Sequence, residues 1–193
     1  MTLFLRHSFF VLVCFLCLHT ISHAQTSKRI SVALQTESIS PPIIRTFPLH
    51  LGGEVGLLLK QTEKTKSFRE WNAFLGFYHH KRVQNAFYLR GDYTHRLKIK
   101  SSFTFDMIGG LGYMHTFYPS EVYELNSSTG EFEEITQTGK ARAIAQVGIG
   151  FSYIKNPKIQ PFFRVESGIE TPFANGIPFI LHSFIKIGTH IKL

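Results

Sequence analysis

Beyond residue 24 the chain alternates. From Phe103 the odd positions Phe103, Phe105, Met107, Gly109, Leu111 and Tyr113 are mostly apolar, while Thr104, Asp106, Ile108, Gly110 and Gly112 are mostly small or polar. Successive side chains of a strand point to opposite faces, so a period of two places the greasy residues on one side of a β-strand. The same split sets Phe87, Leu89 and Tyr93 against Tyr88, Arg90, Asp92 and Thr94. It sets Ala143, Ala145, Val147, Ile149 and Phe151 against Arg142, Gln146, Gly148, Gly150 and Ser152, and Phe179, Leu181, Ile185, Ile187, Ile191 and Leu193 against His182, Lys186, Gly188 and His190. Eight segments follow, at about 29–37, 45–61, 67–79, 85–98, 101–118, 141–154, 159–171 and 178–193. An even number of strands lets an antiparallel sheet close with both chain ends on one side.

The connections differ in length. Thr62–Lys66, Ile99–Lys100 and Lys155–Lys158 are short, whereas the intervening connections include the longest, Tyr118 to Lys140. Short turns at one end and longer loops at the other match the periplasmic and extracellular sides of outer-membrane barrels. The segments also exceed the usual five or six residues of a strand, as a tilted membrane span requires.

A barrel with period two could instead be a soluble, lipocalin-like cup with an apolar lumen. The polar face argues otherwise. Glu54, Arg90, Asp92, Asp106, Arg142, Arg164, Glu166, Glu170 and Lys186 fall there, interspersed with Gly76, Gly110, Gly112, Gly148, Gly150, Gly168 and Gly188. Opposite charges separated by glycines suit a packed interior, because eight strands enclose a lumen that side chains alone can fill. Aromatics near the segment ends fit two interfacial girdles: Trp71, Tyr93, Phe103, Phe105, Phe151 and Tyr153 at one level, Phe47, Phe77, Phe87, Phe117 and Phe179 at the other. The expected fold is all-β: an eight-stranded antiparallel up-and-down transmembrane barrel with a polar, largely filled interior.

The first 24 residues read differently. Arg6, an apolar core from Phe9 to Leu18 and the exit Ser22-His23-Ala24 make a secretory signal peptide, cleaved before Gln25. The expected domains are therefore residues 1–24 as signal and 25–193 as barrel. Both cysteines, Cys14 and Cys17, lie in the signal, so the mature chain has no thiol chemistry. The formal net charge of +8 would often suggest nucleic acid. For an exported chain, anionic lipid and lipopolysaccharide phosphate are the expected counter-charges, and nucleic acid is not.

Candidate chemistry is sparse. His50, His80 and His182 fall on inward positions near the loop-side mouth, where imidazoles from three strands could converge on Zn, Cu or Ni, although their spacing matches no metal motif. On the outward face near the same end, His79, His115, Thr171 and Ser183 supply parts of a hydrolytic site without an evident orienting carboxylate. The lumen charges could alternatively line a narrow pore past Arg90 and Glu166. The loops are the expected working surface, notably the basic His79-His80-Lys81-Arg82 tip and the connection carrying Glu121, Glu124, Glu131, Glu133 and Glu134. That connection follows no calcium-loop spacing and reads as a solvated loop. No catalytic residue and no cofactor is expected.

The final residues carry a resemblance. Lys186, Gly188, Ile191 and Leu193 read polar, glycine, apolar, apolar, and resemble the C-terminal signal of bacterial outer-membrane barrels that the barrel-assembly machinery recognises. With the signal peptide, the eight segments and the loop asymmetry, the chain resembles the small eight-stranded outer-membrane barrels of the outer membrane protein A-like kind. Its final residue is leucine where many relatives end in phenylalanine. The Ala24-Gln25 junction also looks like Bacteroidota members labelled porin-like. The resemblance implies Sec export, an outer-membrane location, lipid and lipopolysaccharide as surroundings, and a non-enzymatic role in envelope integrity, adhesion or partner binding. A lipid A-modifying enzyme, with His115 or His79 serving Ser183, is the alternative it implies.

Overall fold

The computed structural model describes residues 29–39, 49–81, 83–119, 122–125, 128–135, 139–173 and 177–193. The expected signal segment, Phe47, Arg82 and Glu121 lie outside them. Among the described residues ten strands form, β1 (Arg29–Ser38), β2 (His50–Lys64), β3 (Ser67–His80), β4 (Gln84–Lys100), β5 (Phe103–Phe117), β6 (Val122–Leu125), β7 (Phe132–Ile135), β8 (Lys140–Tyr153), β9 (Ile159–Thr171) and β10 (Ile180–Lys192). Eight of them close a barrel in the order β1-β10-β9-β8-β5-β4-β3-β2, every neighbouring pair antiparallel. Closure runs from Arg29 opposite Lys192 to Ser38 opposite Ser183, which leaves no unpaired sheet edge.

The segments drawn from alternation correspond to these eight barrel strands. Strands of up to 17 residues exceed the 9–11 or so that a tilted span needs, so their ends project beyond the apolar layer. The two-residue turns Thr65-Lys66 and Ser101-Ser102 and the 154–158 connection share one end with the start of β1 and the close of β10. The opposite end carries the longer loops, although β3 and β4 are joined there by residues 81–83 alone. The connection read as a solvated loop contains a small hairpin, β6 paired with β7 from Val122 opposite Ile135 to Leu125 opposite Phe132.

The faces fall as the alternation requires. Leu34, Leu111, Val147 and Ile187 are exposed outward, while Glu54, Arg90, Asp92, Arg164 and Lys186 are buried inside. This excludes the lipocalin-like arrangement, whose apolar face would line the lumen. Cross-strand aromatic pairs ring both ends: Trp71 with Tyr93 at 5.2 Å between ring centroids, Phe103 with Tyr153 at 5.1 Å and Phe105 with Phe151 at 5.4 Å on the turn side, and Phe77 with Phe87 at 4.7 Å on the loop side. Such pairs tie neighbouring strands while presenting amphipathic rings at the interfaces.

Inward glycines make room for the filling. A Cβ on Gly76 would run into the Tyr88 ring, and one on Gly110 into the Asp92 carboxylate. Outward-facing Gly109 would meet nothing within 4 Å.

Candidate functional site

The lumen is built in layers, because inward residues of all eight strands meet at successive heights. Nearest the turns, Arg96 places Nη1 3.1 Å from Glu70 Oε1 and Nε 3.2 Å from Asp106 Oδ1, and Arg29 also pairs with Glu70. Thr104 and Ser152 donate to the two oxygens of Asp106 at 2.8 and 2.5 Å. Arg164 Nη2 donates to His190 Nε2 at 3.2 Å, so the His190 proton sits on Nδ1, which donates to Ser31 Oγ at 2.6 Å.

The middle layer centres on Arg90. Its guanidinium grips Asp92 through both oxygens, at 2.6 and 2.7 Å, and reaches Glu166 at 3.2 Å and Glu54 at 3.3 Å. Lys186 Nζ bridges the same Glu54 and Glu166 at 2.7 and 2.9 Å, and the Tyr88 hydroxyl donates to Glu54 at 2.6 Å. All of these side chains are buried, where charges persist only when paired and hydrogen-bonded. An apolar layer of Tyr78, Ala86, Met114, Ile144 and Phe184 packs against Tyr88 above them.

A third polar layer closes the loop-side mouth. His182 sits between two carboxylates, Nδ1 2.7 Å from Glu37 Oε1 and Nε2 2.8 Å from Glu170 Oε2. Carboxylates only accept, so both ring nitrogens carry hydrogen and the ring is an imidazolium. Arg142 lies 2.5 Å from Glu170, poorly aligned for a hydrogen bond, and Gln84 donates to Glu170 at 2.6 Å. At the rim, the His50 and His80 rings stack at 3.6 Å and His50 Nδ1 meets the Glu37 carbonyl at 3.0 Å.

The nine charged residues read from the sequence therefore all lie buried in the lumen. Arg29, Glu37, Glu70 and Arg96 belong to the same layers. Their signal was the same parity: Arg96 is in phase with Arg90, Asp92 and Thr94, and Arg29 and Glu37 with Ser31 and Gln35. Of the three histidines grouped for a metal, His50 and His80 come together with Glu37, whereas His182 turns to Glu37 and Glu170.

The outward constellation is dispersed. Ser183 faces out from β10 between Ser38 and Ser167 yet is only 4% exposed. His115 on β5 contacts the Tyr113 hydroxyl at 2.7 Å, and His79 on β3 contacts Asn85 at 2.5 Å. Two strands stand between β10 and each of those histidine strands, which at about 4.8 Å per strand is roughly 14 Å of wall. Ser183 and the histidines are thus not brought within hydrogen-bond reach. Of the C-terminal residues, Gly188 lies opposite Ala33 and Ile191 opposite Ile30, on the strand that closes the barrel.

No family model matches the sequence, and no curated protein does. Solved structures do match. The crystal structure of Neisserial surface protein A superposes with a TM-score of 0.61 at 9% identity, over 87% of this chain and 98% of that one. The chain has the fold of the small eight-stranded outer-membrane β-barrels. Weaker superpositions include the outer-membrane enzyme PagL, with a TM-score of 0.47 at 11% identity over 86% and 99% of the chains. Another is Ail, the attachment invasion locus protein of Yersinia pestis, with a TM-score of 0.43 at 9% identity over 85% and 97%. At such identities the likeness concerns the fold. An apolar exterior around a polar, ion-paired lumen makes the barrel membrane-spanning.

Proposed function

We propose that the protein is an integral outer-membrane barrel with a non-enzymatic role, binding a partner through the loop between β5 and β8 while the barrel itself is a closed anchor. The observation that carries this reading is the middle layer of the lumen. Arg90 and Lys186 tie Glu54, Asp92 and Glu166 across the barrel, and nothing in that arrangement resembles an open conduit. The wide separation of Ser183 from His79 and His115 further supports a non-catalytic role.

With the lumen filled, chemistry is left to the loops. The 118–140 connection carries Glu121, Glu124, Glu131, Glu133 and Glu134, and its hairpin exposes Tyr123 and Phe132, at 51% and 71%. Large exposed aromatics among carboxylates suit a partner with a basic, partly apolar surface, since aromatics supply contact area and charge supplies selection. Lipid and lipopolysaccharide surround the barrel, with Lys81 and Lys140 exposed at the loop end to meet anionic phosphates.

Two measurements test the proposal together. Planar bilayers containing the purified protein should show no discrete channels, and bacteria displaying it should adhere to basic surfaces in a manner lost when residues 122–135 are replaced by a short turn. Stepwise conductance, or adhesion indifferent to the hairpin, overturns it.

A further inference from the structure

We propose that Glu37, His50 and His80 form a binding site for a divalent first-row transition-metal ion at the loop-side mouth of the barrel. The three residues come from adjacent strands, β1, β2 and β3. Register places Glu37 opposite His50, and the β2–β3 pairing, with Gly52 opposite Tyr78, continues toward His50 beside His80. All three point inward, and one ligand atom from each lies within 4.8 Å of the others. Two imidazoles and a carboxylate suit Zn²⁺, Cu²⁺ or Ni²⁺ rather than the all-oxygen shells of Ca²⁺ or Mg²⁺.

The surroundings supply part of the orientation, and the His50 and His80 rings, stacked at 3.6 Å, turn apart about their side-chain torsions when both lone pairs take the ion. His50 Nδ1 is 3.0 Å from the Glu37 carbonyl, and since that oxygen only accepts, Nδ1 donates and Nε2 keeps its lone pair. Glu37 is held through Oε1 by His182, itself fixed from its other side by Glu170. That leaves Oε2, which is buried and accepts no hydrogen bond among the described residues. His50 Nδ1 lies 3.8 Å from it, too far for a hydrogen bond, so a bound metal ion would satisfy an oxygen left without a donor. Three protein ligands leave a coordination position for water or for a donor from outside. The ligand set differs from one built on His50, His80 and His182 because His182 is engaged by two carboxylates as an imidazolium.

The test uses the full chain, expressed without an affinity tag and purified from membranes in detergent. Titration with Zn²⁺ alone should give one site per chain, weakened at least tenfold in His50→Ala and in His80→Ala. His79→Ala and His115→Ala, which alter outward-facing histidines of the same end, should bind as the parent does. Replacing His182 by Gln should weaken binding by roughly 10–100-fold through the orientation of Glu37. Each variant is scored only when the unheated protein keeps its folded electrophoretic mobility. Cu²⁺ bound to the parent, read by electron paramagnetic resonance, should show two nitrogen ligands, a readout independent of any variant's folding. Absence of stoichiometric Zn²⁺ binding, equal loss in His79→Ala, or a copper spectrum without two nitrogens overturns the proposal.

Discussion

Replacing Arg90 with methionine tests whether the lumen is a dry ion-pair network. The guanidinium is fully buried and makes four contacts of 2.6–3.3 Å to Asp92, Glu54 and Glu166. Methionine fills similar space without charge, and Lys186 stays between Glu54 and Glu166 at 2.7 and 2.9 Å. The stranded group is therefore Asp92, both of whose oxygens were bound by Arg90. Removing one partner of a buried pair costs about 3–5 kcal/mol, roughly two to four orders of magnitude in the folding equilibrium. Asp92→Asn alone should cost less, about 1–3 kcal/mol, because Arg90 keeps Glu54 and Glu166. The double variant should be more stable than Arg90→Met, since the stranded charge is gone. Denaturant unfolding of the detergent-folded barrel, followed by the single tryptophan, Trp71, exposed on the outer wall, measures all three. If Arg90→Met falls within 1 kcal/mol or so of the parent, or if Asp92→Asn fails to relieve it, the lumen is hydrated enough to screen these charges and the closed-anchor reading loses its basis.

Adjacent glycines on opposite faces give a second test: Gly110→Ala, aimed at Asp92, should cost about 1–3 kcal/mol, whereas Gly109→Ala, with nothing within 4 Å, should leave the unfolding midpoint unchanged. Leu111, near the middle of β5 and 71% exposed on the outer wall, should tolerate Met but lose about 2–4 kcal/mol as Arg in a lipid bilayer. Trp71, paired with Tyr93 in the turn-side girdle, should be quenched by lipids brominated near the headgroup more strongly than by those brominated at the chain end.

Alternation made the barrel legible because it persists over runs of ten or more residues, and slipping by one residue would put Arg90 or Lys186 into lipid. It failed where the pattern itself is interrupted. The triplet Leu57-Leu58-Leu59 has no period of two, and there the β2–β3 register shifts between Leu58 and Lys60: Leu58 is buried while Leu57 and Leu59 are exposed. Beyond this irregularity β2 runs to Lys64, past the expected end at 61. The β6–β7 hairpin was hidden by glutamates, which strands disfavour, although Ser128-Thr129-Gly130 marks its turn and Gly130 takes the positive φ of 72° that such a turn asks of glycine. The mouth cluster was only half legible, since alternation places histidines inward but cannot say which carboxylate each will meet. That depends on register between strands far apart in sequence, as when His182 finds Glu37.

Charge gains meaning once positions are known. Of the 13 carboxylate side chains in the sequence, Glu37, Glu54, Glu70, Asp92, Asp106, Glu166 and Glu170 are buried in the lumen, five glutamates belong to the 118–140 connection, and Glu63 is near a turn. The lumen cations Arg29, Arg90, Arg96, Arg142, Arg164 and Lys186 nearly balance the seven, and the His182 imidazolium completes the balance. Outside the lumen lies a positive excess of nine, from the remaining 15 Lys and Arg against the remaining six carboxylates. Much of it sits at the turn end, on Lys60, Lys64, Lys66, Arg69, Lys98, Lys100, Lys155, Lys158 and Lys192, against Glu63, which pairs with Lys98 at 2.7 Å. A basic collar beside the membrane gains about 1 kcal/mol per cation from anionic headgroups, while the acidic connection at the other end repels them. The barrel is thus electrostatically polar along its axis, with the basic turns at one end and the acidic 118–140 connection at the other.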